Sequence, residues 1–284
     1  MKSFLLFSVM LASSAICFAQ TDDNATDSIP PKSTLTLAAV YSNNVSYYGQ
    51  RPQENTPYAA VAANYQLKSG IYFTGQTYKL LNDKTSGLSA GSVGAGVNFK
   101  IGNKMTTDLS YSHSFYAKYS PLLQAANADN VSLVLSYQNW ITTSVTGDYA
   151  FGKTNDAFVT GAISKQVSLF SIGKKDVVTI TPSADIVGGT QHFYQTYFKE
   201  KKLRDSIFDL LPVPIFGGPN SSHADTVVTT SFNVLSYNFK FPVAYNRAHY
   251  ALEAAYQFSL LSDHVPSSTG KVNSFLTFSF YYQF

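Results

Sequence analysis

The sequence predicts an all-β fold, a single transmembrane antiparallel β-barrel of about 12 strands. Three observations predict it. Segments of roughly ten residues alternate in polarity with period two from Ser33 onward. The connections between them alternate long and short. Charged residues are only 13% of the 284, about half the share of a soluble domain, while aromatics are 15%, so the chain must hide apolar surface. No uncharged apolar run of about 18 residues follows the first 20, so no helix is expected to cross a membrane.

The first residues, "MKSFLLFSVMLASSAICFAQ", carry Lys2, an apolar stretch over 4–12 and small residues around Ala19. This pattern predicts a cleaved secretory signal peptide over 1–19. Acylation at Cys17 is the rival reading, and the bulky Ile16 before it argues against that. Cys17 is the one cysteine, so disulfides are not expected to hold the mature fold. Residues 20–32 are polar and acidic (Asp22, Asp23, Asp27) and end in Pro30 and Pro31, which predicts a short disordered periplasmic lead. The barrel domain is expected over 33–284. The net charge of +3 is too small to suggest a nucleic-acid partner.

Twelve segments follow: 34–42, 57–67, 70–80, 89–101, 104–115, 130–138, 141–151, 157–169, 176–190, 225–240, 248–261 and 272–284. In the fourth, Val93, Ala95, Val97, Phe99 and Ile101 alternate with Ser92, Gly94, Gly96, Asn98 and Lys100. In the fifth, Leu109, Tyr111 and Phe115 oppose Asp108, Ser110, Ser112 and Ser114. The seventh sets Val145 and Tyr149 against Ser144, Thr146 and Asp148, and the eleventh sets Leu252, Tyr256 and Leu260 against Glu253 and Gln257. The eighth is open in phase: its apolar set is either Phe158 and Ala162, or Val159, Ile163 and Val167. The tenth shifts phase near residues 232–234, which suits a bulge.

The connections run from the long "SNNVSYYGQRPQEN" and the tight "LKSG" to "PVAYNRA" and "SDHVPSSTG". With the N-terminus in the periplasm, every long connection falls outside and every short one inside, as in outer-membrane barrels. Tyr41, Tyr47, Tyr48, Tyr194 and Tyr197 would mark the upper membrane interface, and Phe99, Trp140, Phe170, Tyr245 and Tyr250 the lower.

The last segment, "SFLTFSFYYQF", alternates Leu276, Phe278, Phe280, Tyr282 and Phe284 with polar residues and is expected to pair with the first. A signal peptide ending near "CFAQ", a polar lead, the alternating segments and this ending together resemble a bacterial outer-membrane β-barrel protein, in flavour the small barrels of the Bacteroidota. The resemblance implies a location in the outer membrane, contact with its lipid, and assembly by the barrel-assembly machinery through a C-terminal signal carried by Phe280, Tyr282 and Phe284. It implies no substrate and no oligomeric state.

Charges on the expected lumen face are Asp108, Asp148, Asp185, Glu253, Lys100 and Lys240. They would either line a selective pore or pair and fill a narrow barrel. The small residues Gly94, Gly96, Ser110, Ser112, Ser144 and Thr146 favour an open channel. Within the long connection from Gln191 to Ala224, residues 199–211 have helical spacing at Leu203, Ile207 and Leu210 or Leu211. That loop is a candidate lid, constriction or docking site, or simply packs on the rim.

Enzyme readings find little support. Outer-membrane phospholipases place a His and a Ser two apart on one strand face, whereas Ser114 directly follows His113 and points the other way. A rim protease would need Asp83, Asp129, Asp156 and His264 to converge. No metal spacing or cofactor motif occurs, and "GSVGAG" (91–96) reads as a strand, since no helix follows it. The expected function is a passive pore for small polar solutes. The alternative is a non-conducting structural or partner-binding barrel acting through residues 191–224.

Overall fold

The computed structural model describes residues 32–82, 87–118, 120–209, 231–265 and 270–284, with backbone alone over 203–209. The expected signal peptide and all but the end of the lead lie outside the described residues. The strands are β1 (Thr34–Ser42), β2 (Tyr58–Gln66), β3 (Ile71–Leu80), β4 (Ala90–Ile101), β5 (Met105–Tyr116), β6 (Asp129–Gln138) and β7 (Thr142–Phe151). They continue as β8 (Asp156–Ser164), β9 (Val167–Phe170), β10 (Asp176–Ile180), β11 (Ser183–Gly189), β12 (Asn233–Arg247), β13 (Tyr250–Leu261) and β14 (Val272–Gln283). One helix, α1 (Phe193–Asp209), lies in the longest connection.

Each strand pairs antiparallel with its sequence neighbour through β8, β14 pairs with β1, and β11 joins β8 to β12. The sheet thereby closes into a 12-strand barrel, because β8 with β9, and β10 with β11, are two wall strands each interrupted once. Closure leaves the wall without an edge, so each backbone group finds its partner inside the sheet.

The interruption between β10 and β11 has a cause in two prolines. Pro242 sits inside β12 and offers only its carbonyl, which accepts the Thr181 N–H at 3.0 Å. In a strand, the N–H and C=O of one residue point the same way, so the donor that Pro242 lacks would also face β10–β11. There the partner strand breaks at Thr181–Pro182, and the β12–β13 ladder runs through Pro242 opposite Ala255 without a shift.

This corrects one expected boundary. Residues 242–247 are not a turn but the last third of β12, because Val243 and Tyr245 continue the outward alternation and Ala244 and Asn246 the inward one. The tight turn is Ala248–His249. The expected phase shift is present just beyond residues 232–234: Val187 pairs with Ser236 but Gly188 with Val234, so Leu235 is an extra residue, and Leu235 and Ser236 both turn inward. The open phase of β8 resolves with Phe158 and Ala162 inside and Val159 and Ile163 outside.

On the outer face the exposed residues are Leu, Val, Ile, Phe and Tyr on every wall strand, among them Val93, Leu109, Val145, Leu252 and Phe278. Such a continuous apolar band is what a bilayer covers. On β14, Leu276, Phe278, Phe280, Tyr282 and Phe284 point outward and Ser279 and Tyr281 inward, with Phe280 opposite Ala39 and Tyr282 opposite Leu37.

Candidate functional site: a plugged mouth above a polar lumen

Four connections fold into one end of the barrel. They are the segment after β1, the segment after β5 with its 3-10 turn Leu123–Ala126, the start of α1, and the segment after β13 through Val265. Their apolar side chains Tyr47, Tyr48, Leu123, Phe193, Tyr194 and Tyr197 form one buried cluster with the wall residues Phe158, Val187, Leu235 and Leu261. Tyr48 stacks on Phe158 at 3.9 Å between ring centres, and Tyr47 meets Phe193 edge-on at 5.0 Å. Four of the tyrosines expected at the upper interface, Tyr47, Tyr48, Tyr194 and Tyr197, are therefore inside the barrel. Burial there keeps these rings from water as well as a bilayer interface would. Tyr41 does lie on the outer face, stacked on Phe278.

The turn at the tip of the first segment is held from below by the wall. Tyr47 and Gln50 form a two-way backbone bridge, and Tyr48 and Gly49 both have positive φ, 52° and 80°. Ser236 Oγ donates to the Tyr48 carbonyl (2.7 Å) and Asn273 Nδ2 to the Gly49 carbonyl (3.0 Å). A Cβ on Gly49 would lie 2.3 Å from Asn238 Oδ1, so this position needs glycine twice over. Burial pushes the Tyr47 and Tyr48 hydroxyls well above the usual tyrosine range, with Asp156 and Asp148 adding to the effect. Both stay protonated, and Tyr48 donates to Asp148 Oδ2 at 3.2 Å.

Asp156, buried at the start of β8, anchors the helix. Its carboxylate accepts the backbone N–H groups of His192 (2.7 Å) and Phe193 (3.0 Å), the Thr190 hydroxyl (2.7 Å) and Asn127 Nδ2 (2.9 Å). A carboxylate at free helix N–H groups acts as an N-cap supplied from the wall. This explains why the helix begins at Phe193, six residues ahead of the expected 199–211, and ahead of the basic residues Lys199, Lys201 and Lys202, which do not suit a helix N-terminus. Lys153 pairs with Glu200 at the rim. The long loop is thus an in-folded element over 190–202, while residues 210–230, with "PVPIFGGPN", lie outside the described residues.

The expected lumen charges separate into groups. Asp185, Lys240 and Glu253 come together on β11, β12 and β13: Asn238 Nδ2 donates to Asp185 Oδ1 (2.5 Å), and Lys240 feels both carboxylates. Asp148 meets Tyr48, and Asp108 accepts from the Tyr72 hydroxyl at 3.0 Å. Lys100 shares the inward phase but stands exposed at the lower mouth, away from the others. The small residues do not simply leave open space. A Cβ on Gly96 would lie 2.5 Å from the Tyr72 ring, so Tyr72, 1% exposed, fills the room that Gly96 leaves.

Of the rim acids, the two described, Asp129 and Asp156, belong to separate networks, and His192 Nδ1 meets Asp156 at 3.1 Å. Asp129 is on the outer face, where Tyr111 Oη (2.6 Å) and His113 Nδ1 (2.7 Å) hold it; Asp156 caps α1; and Asp83 lies outside the described residues. His113 faces outward and Ser114 inward, as their adjacency requires.

Sequence reasoning named the 191–224 connection as a candidate constriction and Asp156 as a rim acid, and missed the part that the first loop plays in the plug and the capping role of Asp156. The signal available was Phe158, whose inward phase on β8 leaves a large ring facing the mouth.

No protein-family model matches the chain, and no curated protein matches it. Among solved structures it is similar to a KdgM porin (TM-score 0.48, 7% identity, covering 88% of this chain and 99% of that one). It is also similar to LpxR from Salmonella typhimurium (TM-score 0.48, 6% identity, 87% and 99% covered). A third is the COG4313 outer membrane channel from Pseudomonas putida F1 (TM-score 0.41, 12% identity, 93% and 100% covered). At such identities the likeness concerns the fold alone, and these neighbours are bacterial outer-membrane β-barrels.

Proposed function

We propose that this chain is an outer-membrane channel for small polar solutes, constricted at one mouth by its own loops. In this reading, residues 1–19 direct export and are removed, and Phe280, Tyr282 and Phe284 present the assembly signal to the barrel-assembly machinery.

The observation that carries the reading is the chemistry of the lumen wall. Along β3, β4 and β5 the inward side chains Gln76, Ser92, Ser110 and Ser112 are half-buried, not sealed. That wall turns hydroxyl and amide groups toward a space that water can reach, which supports a hydrated path along it.

The aromatic plug favours a second reading, a non-conducting barrel that works through residues 191–224. Purified protein in planar bilayers separates the two. The channel reading expects single-channel steps that grow when the plug is loosened by Tyr48→Ala. Silence from both the natural protein and that variant leaves the non-conducting reading.

A further inference from the structure

The plug packs on both sides of the wall, but unevenly. Its aromatic cluster is pressed against β8, β11, β12 and β13 through Phe158, Val187, Leu235 and Leu261, while Leu122 and Ala125 of the segment after β5 pack on β3 and β4 through Tyr78, Leu80 and Ala90. Beside that second contact, between the plug and β3–β7, a cavity of about 50 Å³ remains. That is room for roughly four waters.

The lining of this cavity is polar and uncharged. Gln76, Ser92, Ser112, Ser114 and Asn130 reach it from four adjacent strands, and Gln124 from the 3-10 turn. Asn130 is 7% exposed and its Oδ1 has no hydrogen bond. Gln124 lies beside the Tyr78 hydroxyl, yet no bond of ordinary geometry reaches its amide atoms. Tyr47, Tyr78 and Tyr116 supply ring faces and hydroxyls.

No ionised side chain is among the lining residues described. The nearby Asp148 is turned to Tyr48, Asp156 is consumed by the α1 N-terminus, and Asp185, Lys240 and Glu253 belong to the far wall. An anion entering here would lose water and meet no cation, and a cation would meet only carboxylates already engaged by Tyr48 and the α1 N-terminus, which is costly in both cases. A hydroxyl group meets partners that both donate and accept, since Ser, Asn and Gln do both.

We propose that solutes pass the plug through this side passage along β3–β7, and that it admits small uncharged polyhydroxylated molecules in preference to ions. The inference rests on the channel reading and names its substrate class. The lower lumen, with Asp185, Lys240 and Glu253, then sets no charge preference for passage, because the narrowest stretch lies above it and is neutral.

The test is liposome swelling with the folded mature protein, folding being checked by heat-dependent mobility in gels. Erythritol and arabinose are compared with sodium lactate and potassium chloride. Erythritol should enter faster than lactate. Ser112→Phe should slow erythritol roughly tenfold by filling the passage, and Asn130→Asp should erode the preference for neutral solutes. Ser114→Leu replaces Ser112→Phe if that variant does not fold. Equal rates for erythritol and lactate, or erythritol entry unchanged in a folded blocking variant, would overturn the inference while leaving a channel in place. Absence of swelling with every solute, even after Tyr48→Ala, would remove the channel reading itself.

Discussion

The Tyr48 side chain and Asp148 meet across the barrel interior, hydroxyl to carboxylate at 3.2 Å, while the Tyr48 carbonyl is held by Ser236 on a different wall. The turn therefore bridges the lumen. Removing the ring in Tyr48→Ala deletes both the stack on Phe158 and the bond to Asp148. It should cost about 3–5 kcal/mol of plug stability and raise conductance severalfold in planar bilayers. Unchanged conductance in a folded Tyr48→Ala barrel would show that Tyr48 does not limit flow.

Gly49→Ala tests the same turn through its backbone. The substitution sets a Cβ against Asn238 Oδ1 at a position with positive φ. Strain of about 1–3 kcal/mol should expel the turn and lower the melting temperature of the refolded barrel. Thermal scans in detergent read this directly.

Asp156→Ala should free the start of α1. Its carboxylate serves two backbone N–H groups and the Thr190 hydroxyl, and buried charged hydrogen bonds are worth about 1.5–3 kcal/mol each. The expected result is new protease cleavage within 190–202 with the barrel itself resistant. Cleavage no faster than in the natural protein would count against the capping role.

Lys240→Met leaves Asp185 and Glu253 without their cation on a low-dielectric wall. Stranding buried charge in this way should cost about 3–5 kcal/mol. Lys240→Met combined with Asp185→Asn should recover part of that loss. Urea unfolding of the three proteins measures it, and no recovery in the double variant would argue that the two groups are not coupled.

Phe284→Asp should lower the amount of folded barrel in outer-membrane fractions. The Phe284 N–H donates to Leu35 O at 2.9 Å, its ring packs on Tyr282, and its face points outward. A carboxylate there disturbs both the closing β1–β14 seam and the expected assembly signal. Refolding of the purified variant into detergent separates the two: normal refolding with poor assembly in cells assigns the defect to the signal.

The barrel wall was legible because strand alternation has a fixed period, and lipid outside with water inside makes each strand show it. The β1–β14 seam, the inward phase of Asp148 and Glu253 and the bulge in β12 all follow from that period. The plug was not legible because loops have no period. An aromatic pair such as Tyr47–Tyr48 can escape water either at a membrane interface or in a barrel mouth, and nothing local distinguishes them. The capping role of Asp156 carried no signal either, since its partners at 190–193 lie more than thirty residues away. Pro242 misled in the opposite direction, reading as a turn until the break opposite it was visible.

The hold on the first loop also ties the beginning of the barrel to its end. The Tyr48 carbonyl is bound by Ser236, 188 residues later, and the Gly49 carbonyl by Asn273, 224 residues later. The seat of the opening turn is therefore complete only with β12 and β14 in place, and the seam that closes the wall also completes the floor under its first loop.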